Sequence, residues 1–240
     1  MTRIDATALD FTALNRQLRA ARGDVEITGC LGQRFIGVGT GERKIHIHGV
    51  PGNALGAYLN GAEIEVFGNA QDAVGDTMNA GKIIVHGSIG DTVGYAMRGG
   101  RIYVRGNAGY RAGIHMKAYQ EKLPVVIIGG RAGTFLGEYQ AGGVIVVLGL
   151  NTDGRPIVSN FPCTGMHGGK LFLRSTCENV LFPPQVTPRP ATAEDLKEIA
   201  PCLREYCGIF DLDYARIADA PFTVVTPDSA NPYQQMYVAN

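Results

Sequence analysis

Six glycines, Gly49, Gly68, Gly87, Gly106, Gly130 and Gly149, follow one another at intervals of 19, 19, 19, 24 and 19 residues. Each closes a short β-branched run, among them Ile45-His46-Ile47-His48, Ile64-Glu65-Val66-Phe67, Ile83-Ile84-Val85-His86 and Ile102-Tyr103-Val104-Arg105. A second glycine stands seven positions on in five of the repeats, at Gly56, Gly75, Gly94, Gly113 and Gly137. A period near twenty residues belongs to a stacked solenoid, in which each repeat buries its apolar face against its neighbours. The predicted fold is all-β: a single-stranded parallel β-helix with coils of about 19 residues, right-handed because parallel crossovers are.

Aligned on the first glycine, the repeats form columns. Ile45, Ile64, Ile83, Ile102, Val126 and Ile145 make one, and Ile47, Val66, Val85, Val104, Ile128 and Val147 the next. One residue separates them, the alternation of a strand with one buried face. A third column holds Leu55, Val74, Val93, Ala112 and Leu136; a fourth holds Leu59, Met78, Met97 and Met116, with Gln140 in the matching place. Stacked strands put equal positions of successive coils about 4.8 Å apart, so such columns are what the stack needs. The glycines of both series are expected at corners where the backbone takes φ > 0.

The ends depart from the period. Val25-Glu26-Ile27-Thr28-Gly29 reads as a first coil, and Gly168-Gly169-Lys170-Leu171-Phe172-Leu173 repeats the phase of the earlier strands. Open solenoid ends need caps. Residues 12–22, stopped by Gly23, read as a short cap helix with Leu14 and Leu18 on one face. Prolines 183, 184, 188 and 190 lead to Thr192, an N-cap for a second capping helix that Pro201 should kink or restart. The predicted organisation is a cap helix over 1–23, the β-helix over 24–182, and a linker, helix and extended arm over 183–240. The arm carries Phe222, Tyr233, Met236 and Tyr237, aromatic and apolar side chains of the kind that anchor a partner surface; the alternative is that it folds back over the end of the coil.

Composition limits the function. Lysine plus arginine equals aspartate plus glutamate at 22 each, which argues against a nucleic-acid footprint or a polybasic membrane surface. The five cysteines, 30, 163, 177, 202 and 207, form no CxxC pair, so buried thiols in a reducing compartment are expected rather than a zinc or iron–sulfur site. The N-terminus lacks the layout of a signal peptide, and the expected location is the cytoplasm.

No residue emerges as a catalytic candidate, and no cofactor or metal ligand is expected in this chain. His46 and His48 point the same way on one strand, while His86 lies two coils on, about 10 Å away and too far to share a metal ion. Lys44, Glu63, Lys82 and Arg101 make an outward ladder in which Glu63 lies between cations, read as a solvated face. Glu63, Glu65, Asp72, Asp76 and Asp91 show no converging acid pair of the kind polysaccharide cleavage uses. The loop Gly87-Ser88-Ile89-Gly90-Asp91-Thr92-Val93-Gly94 repeats with every coil, unlike a phosphate loop that opens a helix after one strand.

The repeats resemble the GXGXG domain at the C-terminal end of the glutamate synthase large subunit and its stand-alone relatives. The resemblance rests on Gly49-Val-Pro-Gly52-Asn-Ala-Leu-Gly56, Gly68-Asn-Ala-Gln-Asp-Ala-Val-Gly75, Gly106-Asn-Ala-Gly109-Tyr-Arg-Ala-Gly113 and Gly137-Glu-Tyr-Gln-Ala-Gly-Gly143, and runs over residues 10–175. Departures are Gln71 in place of the middle glycine and an insertion around Gln120 to Pro124. The resemblance implies a scaffold subunit whose partners would be a glutamine amidotransferase and a synthase chain carrying FMN and an iron–sulfur cluster. Residue 2 here is threonine rather than a nucleophilic cysteine. The domain is also similar to the C subunit of formylmethanofuran dehydrogenase and of formyltransferase/hydrolase complexes, the second reading. A carbohydrate-active β-helix enzyme is the third.

Overall fold

A computed structural model of the protein describes residues 1–231. In chain order its elements are β1 (Thr2–Asp5), α1 (Phe11–Ala20), β2 (Val25–Leu31), β3 (Lys44–Val50), β4 (Asn60–Phe67), β5 (Ala80–Val85), β6 (Arg101–Val104), β7 (Val125–Ile128), β8 (Ala141–Val147), β9 (Gly168–Leu173), β10 (Val186–Pro190), α2 (Ala193–Ile209), α3 (Tyr214–Ala218) and β11 (Thr223–Pro227). The strands form one sheet in the order β1-β2-β3-β4-β5-β6-β7-β8-β9-β11-β10. From β1 to β9 every pairing is parallel, as a β-solenoid requires. Ile45 pairs with Ile64, Ile83 with Ile102, Ile102 with Val126 and Val126 with Ile145, the sequence columns in register. Both columns are fully buried, as are Leu55, Val74, Val93, Leu59, Met78 and Met97.

The turn between strands has a conformation the sequence does not announce. In each coil three alternate residues adopt the left-handed region, as at Ala54 (φ 61), Gly56 (φ 63) and Tyr58 (φ 56), and again at Arg111, Gly113 and His115. Gly56, Gly75, Gly94, Gly113 and Gly137 share this middle position, where the φ > 0 expectation holds. Apart from Gly39 and Gly165, the flanking positions carry L side chains at a cost of roughly 1–2 kcal/mol each, held there because their amides bond to adjacent coils, Ala54 N to Asp72 O and Tyr58 N to Asp76 O. Gly49 and Gly149 also have positive φ, but Gly68, Gly87, Gly106 and Gly130 do not. For those four the reason is close approach: a methyl at Gly106 would overlap Ser88 Oγ and crowd Gly87.

That crowding comes from side chains standing in for strand pairing. Asn69 Oδ1 accepts from Ser88 N, Ser88 Oγ from Asn107 N, and Asn107 Oδ1 from Arg131 N. A parallel series runs from Asp72 Oδ1 to Asp91 N and from Asp91 Oδ1 to Tyr110 N. Amides that lack a backbone acceptor at the corners are thus satisfied one coil at a time.

Gln140 breaks the fourth column. Its Nε2 donates weakly to Gly142 O and Gly143 O at 3.3 and 3.2 Å, while Oε1 is buried without a partner. A buried acceptor left unmade is costly. Gln140→Met, restoring the residue of Met116 and Met97, should stabilise the chain by about 1 kcal/mol, read as a rise in Tm; a fall would show that the carboxamide holds the corner.

The structure corrects the two ends. At the N-terminus the chain first lays down β1 against β2, Ile4 beside Ile27, so the region 1–23 is a rung as well as a helix. Helix α1 then starts one residue early on Asp10, whose carboxylate accepts from Ala13 N. At the C-terminus the end is covered by β11, which inserts antiparallel between β9 and β10. Helix α2 is instead packed on the outer face of the sheet. It runs unbroken through Pro201, because Ile199, Cys202, Leu203 and Tyr206 bury against Ile84, Tyr103, Ile127, Val146 and Phe172, outweighing a proline cost of about 3 kcal/mol. Strands β5–β9 are therefore buried on both faces, not on one. A capping box between Thr192 and Asp195 starts α2, and Arg189 of β10 grips Asp195 bidentately at 2.7 and 3.0 Å.

Candidate functional site

The open half of the sheet's outer face, on β2–β4 beside α2, carries the densest set of titratable side chains. The pleat aims alternate residues outward, so Glu26, His46 and Glu65 occupy the column that farther along the sheet is filled by Ile84, Tyr103, Ile127 and Val146, and His48 pairs with Phe67 in the next outward column. His86 Nε2 lies 2.8 Å and His46 Nε2 3.8 Å from the Glu65 carboxylate, while His48 faces Glu26 at 3.4 Å. Phe67 is sandwiched between His48 and His86, ring centroids 4.8 and 5.0 Å apart. The Phe67 ring thus stands between the two histidines, which lie two coils apart. Among the described residues no group of three or more His, Cys, Asp or Glu is arranged to hold a metal ion.

The outward ladder continues onto α2. Glu63 lies 3.5 Å from Lys44 and 3.3 Å from Lys82, and Glu205 of α2 then takes Lys82 at 2.6 Å, Arg101 at 2.8 Å and the Tyr103 hydroxyl at 2.8 Å. Burial opposes the Glu205 charge, but Lys82, Tyr103 and Arg101 outweigh it and hold the carboxyl below its usual value of 4.5. Its stabilising effect is complete above that value and drains away as the pH falls through the lower folded-state pKa. Glu205→Gln should lower stability at pH 7 by about 1 kcal/mol, since solvent screens one side of the cluster; thermal unfolding should show the gap from the unaltered chain closing toward pH 3. A gap unchanged at pH 3 would refute the clasp.

Other chemistry is held down by burial. All five cysteines are buried and free; burial pushes the Cys30 thiol to about 11 and the Cys163 thiol to about 12, and raises Cys177, Cys202 and Cys207. Neutral thiols are poor nucleophiles. A groove of about 440 Å³ lies along the Gly61, Gly81 and Gly100 corner beneath Lys122, but its Lys82 and Arg101 are already committed to glutamates. No helix among the described residues is long and apolar enough to cross a membrane.

The expected partner anchors divide. Phe222 is 4% exposed and packs with Val224 under α2, so it is a core residue and not an anchor: β11 needs its apolar side buried to close the solenoid. Tyr233, Met236 and Tyr237 lie outside the described residues. Reading the columns missed the opposite feature, a row of exposed rings at the left-handed corner: Phe35, Tyr58, Tyr110 and Phe161. Their columns hold small residues in some turns, Ala54, Ala73, Thr92, Thr77 and Ala96, and large ones in others, Arg111, Phe135, His115 and Tyr139, so no periodic signal set them apart.

A family model described as the GXGXG motif matches residues 15–220. An uncharacterized protein of Methanocaldococcus jannaschii is 39% identical over 248 aligned residues, covering 98% of this chain and 95% of that relative.

Proposed function

The chain belongs to the GXGXG-motif family, and from that premise we propose that it is a non-catalytic scaffold subunit of a glutamate-synthase-type complex. The family is associated with glutamate-synthase-type oxidoreductases. In this reading a glutamine amidotransferase chain releases ammonia, a synthase chain with FMN and an iron–sulfur cluster uses it, and the solenoid holds the two in place. The complex would work in the cytoplasm. The observation that carries the reading is how the polar groups are spent: Glu63, Glu65, Glu205, Asp72 and Asp91 each answer a neighbouring coil or α2, so the charged side chains serve the shape of the rod.

Co-expression with the amidotransferase and FMN-binding chains of the same genome tests it. The three should elute as one stoichiometric complex, while the purified chain alone shows no glutaminase or glutamate synthase turnover and no flavin absorbance. Turnover by the isolated chain, or failure to co-elute with either subunit, would overturn the proposal.

A further inference from the structure

The two ends of the sheet are finished differently. At one end the outermost strand is β10, which carries Pro188 and Pro190. Two of its residues thus lack an amide donor, a common defence against the addition of a further strand. At the other end the outermost strand is β1, Thr2-Arg3-Ile4-Asp5, which has no proline. Its pairing with β2 uses every second residue. Thr2 N donates to Asp24 O and Ala6 N to Thr28 O. Ile4 is in phase with them and faces β2 as well, so the N–H and C=O groups of Arg3 and Asp5 point out of the sheet. No strand among the described residues pairs with that edge, and Thr2, Arg3 and Asp5 are exposed. The core behind it is closed: Ile4 is 4% exposed and shares a cluster with Leu14 and Leu18 of α1. What β1 leaves unfinished is its hydrogen bonding.

The free groups match themselves. A two-fold axis perpendicular to the sheet through Ile4 lays a second β1 antiparallel to the first, with the inner faces on the same side. Arg3 then stands opposite Asp5 of the second copy, Ile4 opposite Ile4, and Asp5 opposite Arg3. Each Arg3–Asp5 pair exchanges both N–H···O=C bonds, and the Ile4 pair between them is the one that makes none. All four amides at the edge are satisfied. A shift of one residue would set Arg3 against Ile4, whose groups point the other way. A shift of two would set Arg3 against Arg3 or Asp5 against Asp5, like charges face to face. Arg3 already reaches Glu26 at 2.7 Å and the Asp5 carboxylate accepts from Thr7 N. The side chains therefore select the register, and the backbone makes the bonds.

We propose that the free edge of β1 pairs with β1 of a second copy of this chain, antiparallel, so that two rods join tip to tip in one continuous sheet. The contact is isologous and closed. It goes beyond the scaffold reading and does not depend on it, since it leaves the flanks of both rods free for other chains.

Arg3→Pro is the discriminating variant. It removes an N–H that points out of the sheet, a place where edge strands tolerate proline, and with it two of the four bonds. Sedimentation equilibrium over a concentration series should show the unaltered chain in a monomer–dimer equilibrium. The variant should dimerise on the order of a hundredfold more weakly, because two carbonyls lose their donors, with Tm of the monomer within a few degrees. Arg3→Ala keeps the amide and should dimerise within about tenfold of the unaltered chain. A chain that is monomeric at every concentration overturns the proposal. So does a dimer that Arg3→Pro leaves as tight as before, or one that Arg3→Ala breaks as fully as Arg3→Pro. Should Arg3→Pro fail to fold, amide hydrogen exchange in the unaltered chain decides: Arg3 and Asp5 should be protected to a degree that rises with protein concentration. Fast exchange at every concentration overturns the proposal, as does protection that appears only when the amidotransferase or FMN-binding chain is added.

Discussion

Val85→Asp should leave no soluble folded protein. Val85 is fully buried, paired with Val66 on one side and Val104 on the other, in the middle of a column without a polar group. A carboxylate there would lose its hydration and find no cation, a cost of several kcal/mol even if it took up a proton. Domain stability is about 5–15 kcal/mol in all. In a solenoid each turn is templated by its neighbours, so the defect would split the stack rather than be absorbed at one end. Soluble yield and far-ultraviolet circular dichroism give the readout. Wild-type yield and Tm would mean that this residue does not face the interior.

Truncation after Ala220 should be nearly as severe. It removes β11, whose Val224 and Val225 are fully buried and whose neighbour Phe222 is 4% exposed. The cut strips β9 and β10 of their common partner. Three buried apolar side chains at roughly 1.5–3 kcal/mol each amount to a loss of about 5 kcal/mol or more, which for a chain of this size lowers Tm by more than about 10 °C. A truncated chain with an unchanged melting profile that no longer joins the complex would instead identify the arm as a docking element.

Much of this was legible in the sequence because a solenoid states its geometry repeatedly. Ile45, Ile64, Ile83 and Ile102 fall into register at equal spacing, and nothing but a stack makes that column useful. The second core was harder to see. Val125-Val126-Ile127-Ile128 and Val144-Ile145-Val146-Val147 are apolar without interruption, the mark of a strand covered on both faces, whereas Lys44-Ile45-His46-Ile47 alternates; the change marks where α2 lies. Local pattern could not say what covers those strands, since α2 reaches them across more than fifty residues of chain. Pro201 misled because helix propensity is local and the packing that overrides it is not. Aromatic content also misled at the arm: Phe222 looked like an anchor because burial depends on which strand pairs with β11, and no periodicity encodes an antiparallel insertion.

The hairpin turn at Tyr119–Lys122, closed by hydrogen bonds of 3.1 and 3.0 Å between the two backbones, lengthens one coil without moving it. Arg101 still meets Val125 and Ile102 still meets Val126 on the far side of the extra residues. The rod therefore measures a turn by its ladders and not by its count of amino acids. A protein engineer can treat that loop as a port: an epitope, a fluorophore site or a foreign peptide grafted between Gln120 and Glu121 would project from a fixed height on a rigid ruler, leaving the columns to keep their spacing.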